Sequence, residues 1–438
     1  YQIIIGSRAS LFLPFSELGL IIVDEEHDGG YKQREPAPRY NARDAAIYLA
    51  TLHKSKVLLG SATPSLETYF NTQIEKYGYV SLNERYLNTP MPRIEIANMK
   101  EDYINKRNYS IFSSLLYDRI IQTLNNHKQV IIFKNQRGYS SNIRCEVCGW
   151  VAKCPNCDVS LTYHKQWNSL NCHYCGLNLP LYSECPECHS HSLVQSGNGS
   201  EKIEEEILRF FPNARVKRMD LDTTRKKNDY LEIIQDFEKG NIDILCGTQI
   251  ITKGLDFSNV GLVGVIDADS LLYYPDFRAY ERCFDLLTQV AGRAGRLKEK
   301  GAVVIQSFNP NHQIFKEVLN YDYASMYKNQ IVERKLFSYP PFVYLTKILF
   351  QSKDKDVLDC LCQEYSNEIR KIFAQRILGP EYPPIYRVKG MYQKQFILKL
   401  EKTISYTQAK KLIMQLNEEI LSKKEYKQVR VIVDVDTY

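Results

Sequence analysis

No apolar run in the chain approaches the roughly 20 residues that a bilayer-spanning helix needs, so no spanning helix is expected within these residues. Low-complexity tracts are absent, and 44% hydrophobic and 25% charged residues are those of an ordinary globular protein. No secretory signal precedes the first apolar stretch, which argues against a disulfide framework. The phosphate-gripping loop Gly-x-x-x-x-Gly-Lys-Ser/Thr does not occur. The chain opens on Tyr1 rather than methionine, in what reads as a strand over Tyr1–Ile5; an upstream part is expected to be missing.

What is present begins with Leu18-Gly-Leu-Ile-Ile-Val-Asp-Glu-Glu-His27. The apolar run predicts a strand buried on both faces of a parallel sheet. Ligands of such sheets sit beyond the carboxyl ends of the strands. Asp24 is placed to hold Mg²⁺ beside nucleotide phosphates, and Glu25 to orient or deprotonate an attacking water. A second apolar strand, Val57–Leu59, ends in Gly60-Ser61-Ala62-Thr63. Between them runs a loop with Tyr31, Lys32, Arg34, Arg39, Tyr40 and Arg43. Aromatic rings stack on unpaired bases while cations follow the backbone, so this loop is a candidate contact for single-stranded nucleic acid. Gly6-Ser7-Arg8, small residues and a cation after the first stretch, suits a phosphate contact.

Eight of the twelve cysteines lie between Cys145 and Cys188, in four Cys-x-x-Cys pairs. Such pairs form tetrahedral four-thiolate zinc sites, closed and therefore structural. Only five residues separate Cys148 from Cys154, which is short for two knuckles facing one ion. A nested arrangement is expected: Cys154, Cys157, Cys172 and Cys175 at one zinc, Cys145, Cys148, Cys185 and Cys188 at the other. His164, His173, His189 and His191 are substitute ligands that eight thiolates make unnecessary. A segment this small has no core of its own, so the metal supplies its stability.

Further along, strands are predicted at Val130–Phe133, Ile242–Leu245 and Val260–Ile266, and a helix over Tyr280–Ala294. Gly197-Asn198-Gly199-Ser200 opens a helix but lacks a phosphate-binding lysine. From about residue 331 the chain reads as a compact α+β domain, with helices near 354–376 and 407–423 and strands near 343–350, 395–400 and 428–435. Residues 331–438 hold 19 Lys+Arg against 13 Asp+Glu, a balance of +6 that accounts for the whole chain's formal charge of +6. A basic domain fits a polyanionic partner.

Taken in order, Asp24-Glu25-Glu26-His27, Gly60-Ser61-Ala62-Thr63, Gly247-Thr248-Gln249 with Lys253-Gly254-Leu255-Asp256, and Gln289-Val290-Ala291-Gly292-Arg293-Ala294-Gly295-Arg296 resemble motifs II, III, V and VI of superfamily 2 helicases. Eight cysteines after Asn135-Gln136-Arg137-Gly138-Tyr139, together with Pro275-Asp276-Phe277-Arg278-Ala279, narrow the resemblance to the primosomal replication-restart helicases, over essentially all of the chain. It implies an α/β fold: two RecA-like parallel-sheet lobes (the first incomplete), an inserted double-zinc module and a C-terminal α+β domain. The expected divisions are lobe 1 over 1–100, lobe 2 over 101–144 and 189–330, the zinc module over 145–188 and the basic domain over 331–438.

The same resemblance implies ATP-dependent 3′→5′ DNA unwinding at stalled or abandoned forks, and primosome assembly that reloads the replicative helicase. Asp24 and Glu25 would bind Mg²⁺ and activate water, with His27 linking nucleotide state to Gly60–Thr63. Gly254 and Asp256 would touch nucleotide, and Gln289, Arg293 and Arg296 would sense the γ-phosphate. Ser7, Arg8, Arg39, Tyr40, Arg137, Thr248 and Gln249 would lie near DNA. The implied cofactors are two structural Zn²⁺, ATP and Mg²⁺. The implied partners are forked and single-stranded DNA, primosome proteins and single-stranded DNA-binding protein, for a monomer in the bacterial cytoplasm, nucleoid-associated and without membrane contact. The family's phosphate loop and N-terminal DNA-binding domains are absent, so the chain alone is expected to be inactive. A non-catalytic, zinc-containing DNA-binding scaffold is the alternative. A superfamily 2 nuclease or restriction translocase is disfavoured, since no carboxylate-lysine nuclease cluster is evident.

Overall fold

Continuous β-branched runs become strands because their side chains can be buried on both faces of a sheet. Gln129–Lys134 shows this fully: every residue of the strand is buried. The computed structural model describes all residues except 1, 83, 85–90, 135–141, 165–167, 196–199, 220–226, 249–256, 258, 295–300 and 437–438. The chain divides into two compact units, residues 80–330 and residues 1–79 with 331–438.

In the unit formed by residues 80–330, Gln129–Lys134 lies inside a six-stranded parallel sheet. The spatial order is Val216–Met219, Ile244–Gly247, Gln129–Lys134, Val260–Ile266, Ala302–Ser307, Arg93–Asn98. Helices Ser114–Asn125 and Ser200–Phe210 close one core with it, built from Leu116, Ile120, Val130, Ile132, Ile203, Ile207, Ile244 and Leu262. Helix Ala279–Ala291, predicted over Tyr280–Ala294, buries nine of its thirteen residues. Arg93–Asn98, expected with the first lobe, is instead the edge strand of this sheet, paired along its length with Ala302–Ser307. Its Ile94 and Ala97 are buried there, which is burial enough to fix the strand wherever chain order would put it.

In the other unit, strand Leu20–Val23 pairs in parallel with Lys56–Leu59, and helix Ala42–His53 packs Ala42, Ala46 and Ala50 inward. Burial on both faces was expected for the first of these strands. Leu20 and Ile22 are instead 52% and 63% exposed, because the sheet has two strands among the described residues and no layer covers that face. The strand expected over Tyr1–Ile5 does not form: residues 2–7 adopt no regular structure, and Ile3 and Ile5 stand in solvent. Among the described residues no strand lies beside them to satisfy their backbone.

Residues 343–435 build a five-stranded antiparallel sheet whose main path runs Ile377–Glu381, Met391–Glu401, Val343–Ser352, Arg430–Val435. The short strand Arg387–Val388 pairs with the start of Met391–Glu401. Helices Lys355–Phe373 and Tyr406–Leu421 cover one face through Leu358, Leu361, Tyr365, Ile369, Ala409 and Ile413. This is the α+β domain that the sequence predicts, with boundaries shifted by a few residues. Among the described residues, no helix is long and apolar enough to cross a membrane.

Gly264 shows how closely the parallel sheet is packed. A Cβ there would lie 2.8 Å from Leu116 Cδ1 and 2.9 Å from Ile132 Cδ1, both on fully buried residues. Gly264→Val should cost about 1–3 kcal/mol by overpacking, read as a lower urea midpoint at unchanged slope. An unchanged midpoint would mean that helix Ser114–Asn125 can yield.

Candidate functional site

Past Val23 the chain turns sharply, and the backbone of Glu25 enters the left-handed region at φ 49°. The turn is held from below. Gly60 N–H donates to Val23 O at 2.9 Å, and Glu26 N–H to Gly60 O at 3.0 Å, so the two strand ends continue to pair beyond the regular ladder. The result separates three adjacent acids. Asp24 and Glu25 are exposed, whereas Glu26 is 2% exposed. Glu26 accepts hydrogen bonds from Ser65 N at 2.6 Å, Thr68 Oγ1 at 2.8 Å and the Arg43 guanidinium at 3.0 Å. Arg43 also donates to Ser65 Oγ at 2.8 Å. This buried knot ties the acidic turn to helices Ala42–His53 and Leu66–Gln73.

His27 reaches the end of the neighbouring strand. Its Nδ1 is 2.7 Å from Ser61 Oγ, in the second strand's end, and 3.6 Å from Glu25 Oε2. Tyr31 donates to Asp24 O at 2.5 Å, and burial, then the nearby carboxylates of Asp24, Asp28, Glu25 and Glu26, push its phenol above the usual range. Two exposed carboxylates at the end of a parallel strand, with a histidine bridging to the neighbouring strand end, can hold a divalent cation and take up a proton.

The loop beyond His27 departs from the expectation of a wholly nucleic-acid-facing surface. Lys32 is buried, its Nζ on Asp434 Oδ1 at 2.9 Å, Val435 O at 2.6 Å and Arg39 O at 2.9 Å. Arg43 is spent on Glu26. Each is a cation whose partner carboxylate the sequence cannot reveal. Arg34 is exposed and Arg39 and Tyr40 are half-buried, with the Tyr40 ring edge-on to Phe12 at 5.0 Å. Ser7 is exposed, while Arg8 donates to Gly30 O at 2.9 Å and Lys32 O at 3.1 Å. A second anchor joins the same unit: Arg334, 1% exposed, donates to Glu67 at 3.0 Å and to Pro340 O at 3.1 Å.

Residues 80–330 carry the remaining candidates. Thr248 ends the strand Ile244–Gly247 and is half-buried. Gln289 and Arg293 are half-buried, four apart at the end of helix Ala279–Ala291, on one side of it. Arg137, Gln249, Gly254, Asp256 and Arg296 lie outside the described residues, as do residues 135–139 and 197–199.

The cysteines assemble as the spacing predicts. Cys145, Cys148, Cys185 and Cys188 form one quartet, and Cys154, Cys157, Cys172 and Cys175 the other, with all sulfurs of each within 4.8 Å. Measured Sγ–Sγ edges are 3.4–3.6 Å, close to the ~3.8 Å edge of a tetrahedron with 2.3 Å Zn–S bonds. Four sulfurs this close cannot all ionise unaided. The Cys157 thiol is driven up by its contacts with Cys154 and Cys172, and Cys154 is driven down by its contacts with Cys157 and Cys172. A cation between them removes the conflict, and the donor set fits zinc at both places.

The module is seated on the sheet of its own unit. Arg144, beside the ligand Cys145, places its guanidinium 3.8 Å over the Phe308 ring and 3.7 Å from Asp267. Asn142 donates to Tyr273 O. Gly149 has φ +79°, and a Cβ there would meet Phe308 O at 3.1 Å, so the knuckle turn and the close approach both require glycine.

These features define a helicase-type α/β protein with a cysteine-rich insertion, and the comparisons agree. Residues 190–298 match the helicase conserved C-terminal domain, residues 154–180 the PriA DNA helicase Cys-rich region, and residues 335–438 the primosomal protein N C-terminal domain. The chain is 40% identical over its full length to replication restart protein PriA of Bacillus subtilis, covering 54% of that protein. To the PriA of Chlamydia pneumoniae it is 38% identical, with 99% and 58% covered, and to that of Rickettsia typhi 38%, with 100% and 66% covered. The chain belongs to the PriA replication restart family. It spans little more than half the length of the first curated relatives it matches.

Removing Glu26 leaves Arg43 buried and uncompensated, so Glu26→Ala should destabilise by about 3–5 kcal/mol, whereas pairing it with Arg43→Met should recover part of the loss. A double variant that loses the sum of the two single-variant losses, measured by chemical denaturation, would show no coupling between them. Elemental analysis should return two zinc ions per chain; a single ion would reject one of the quartets.

Proposed function

We propose that this chain is the greater part of the motor of an ATP-dependent 3′→5′ DNA helicase that recognises stalled or abandoned forks and starts primosome assembly to reload the replicative helicase. The observation that supports it is the acidic turn: Asp24 and Glu25 exposed at a parallel strand end, Glu26 buried beneath them, and His27 2.7 Å from Ser61. In this reading Asp24 holds Mg²⁺, which supplies charge stabilisation to the phosphates when bound. Glu25 takes the proton of the attacking water. His27 passes the state of that turn to Gly60–Thr63. Gly254 and Asp256 contact nucleotide, and Gln289, Arg293 and Arg296 respond to the γ-phosphate. Ser7, Arg8, Arg39, Tyr40, Arg137, Thr248 and Gln249 serve DNA.

The domain scheme follows: two RecA-like lobes, a double-zinc module over 145–188 contacting DNA or primosome proteins, and a basic domain over 331–438. Forked and single-stranded DNA, primosome components and single-stranded DNA-binding protein are the partners of a nucleoid-associated monomer. The missing Gly-x-x-x-x-Gly-Lys-Ser/Thr loop favours a second reading for the chain by itself, a zinc-containing DNA-binding scaffold.

Glu25→Gln in the intact protein separates the two. A motor should lose at least about a hundredfold in forked-DNA-stimulated ATP hydrolysis and keep its DNA affinity, whereas unaltered unwinding would leave the scaffold. The 438-residue chain alone should hydrolyse ATP at no more than background, and brisk steady-state turnover would mean that the nucleotide site lies elsewhere.

A further inference from the structure

We propose that the hairpin Tyr382–Lys394 in the C-terminal domain is a stacking site for single-stranded nucleic acid, an inference that rests on the DNA-binding reading above and adds a specific place to it. Strand Arg387–Val388 pairs with Met391–Glu401 through Arg387↔Tyr392 and Val388↔Met391, so Lys389-Gly390 is a two-residue turn. Both turn residues have positive φ, 49° and 78°. That is the geometry of a type I′ turn, where asparagine, aspartate or glycine is favoured at the first position. Here the position is a lysine, and the fold accepts a poor backbone fit to carry a cation at the tip. Strain of this kind is retained where a site uses it.

The ring arrangement is the second observation. Tyr386 and Tyr392 are near-parallel, 20° apart in plane with centroids 6.4 Å apart, and Tyr382 stands edge-on to Tyr386 at 6.3 Å. The Arg387 guanidinium is 4.9 Å from the Tyr392 ring. Tyr386 is 43% exposed, as are its neighbours Ile385 at 54% and Val388 at 39%. Tyr382 is braced from behind. Its hydroxyl donates to Asp359 at 2.6 Å, and the same carboxylate takes Lys394 at 2.7 Å.

Charge selects the occupant. Residues 382–394 hold three tyrosines and three cations, Arg387, Lys389 and Lys394, and no carboxylate. Asp359, on the adjoining helix, is already engaged by Tyr382 and Lys394. The exposed Tyr386 ring and the half-buried Tyr382 and Tyr392, with exposed Arg387 and Lys389 beside them, match unpaired bases and their phosphates, since stacking tolerates any base and cations track the backbone. A buried hydrophobic contact alone would have no use for the arginine and lysine at the tip.

The test uses the full chain and a dT20 oligonucleotide containing 5-iododeoxyuridine, which photo-crosslinks to aromatic side chains in stacking contact. Adducts mapped by mass spectrometry should fall on Tyr386 or Tyr392. By fluorescence anisotropy, Tyr386→Ala should weaken dT20 binding at least about fivefold and Tyr386→Phe should not. Lys389→Ala should flatten the logarithmic salt dependence by about 0.7. Circular dichroism and thermal melting confirm that these surface variants fold. Binding that persists with every adduct elsewhere, and with Tyr386→Ala within twofold of the parent, overturns the site while leaving DNA binding intact. Failure of the parent chain to bind dT20 at all overturns the DNA-binding reading itself. Poly-glutamate binding that Tyr386→Ala abolishes, with dT20 binding unchanged, would overturn the stacking site and reassign the hairpin to an acidic protein segment.

Discussion

One buried carboxylate organises the chemistry-bearing end of residues 1–79. Glu26 is held by a backbone amide, two hydroxyl-bearing residues and a guanidinium, and a buried charge so well satisfied has little freedom to move. Because it is fixed, the turn above it is fixed as well, and the two preceding acids must face outward. Arg43 and Ser65 belong to this arrangement as much as Glu26 does, although neither touches anything that would react. The histidine bridge to Ser61 extends it to the next strand end. Rigid support beneath exposed groups is what lets a carboxylate meet a cation or a water in a constant geometry.

Much of this organisation was legible in the sequence because its causes are local. An unbroken apolar run favours a strand, and Gln129–Lys134 and Val260–Ile266 are formed within a residue of the expectation. The nested cysteine quartets follow from a spacing argument, since a gap of five residues is too short for two knuckles to turn back on one ion. What escaped is non-local. Nothing in Asp-Glu-Glu says that the third acid is the buried one. Lys32 and Arg43 read as solvent-facing cations beside aromatic residues, yet each has a carboxylate partner brought to it by the fold. Arg93–Asn98 joins the sheet of residues 80–330 because of a partner strand some two hundred residues later, so a division drawn by chain order misplaces it. The hairpin at Lys389-Gly390 did leave a signal, a two-residue turn between β-forming residues, easily passed over because lysine is an unusual occupant of its first position.

The cysteine-rich insertion is better understood as an extension of its host sheet than as a separate bead on the chain. Arg144 is bound to the module on one side and to Asp267 and Phe308 on the other, and Gly149 admits the backbone of Phe308 closer than most side chains would allow. Metal that orders the knuckles therefore orders this seam as well. Asp269, two residues beyond Asp267, is itself buried and holds Ser307 and the amide of Phe308. The strand ends and the seam thus share their fixings.

Lys32 draws together positions that synthesis keeps far apart. Its ammonium group closes on Asp434 and Val435, so the loop that follows the acidic turn has its footing in strand Arg430–Val435. Without that strand Lys32 would be a buried cation with no carboxylate to meet it. The loop and strand Arg430–Val435 therefore settle together.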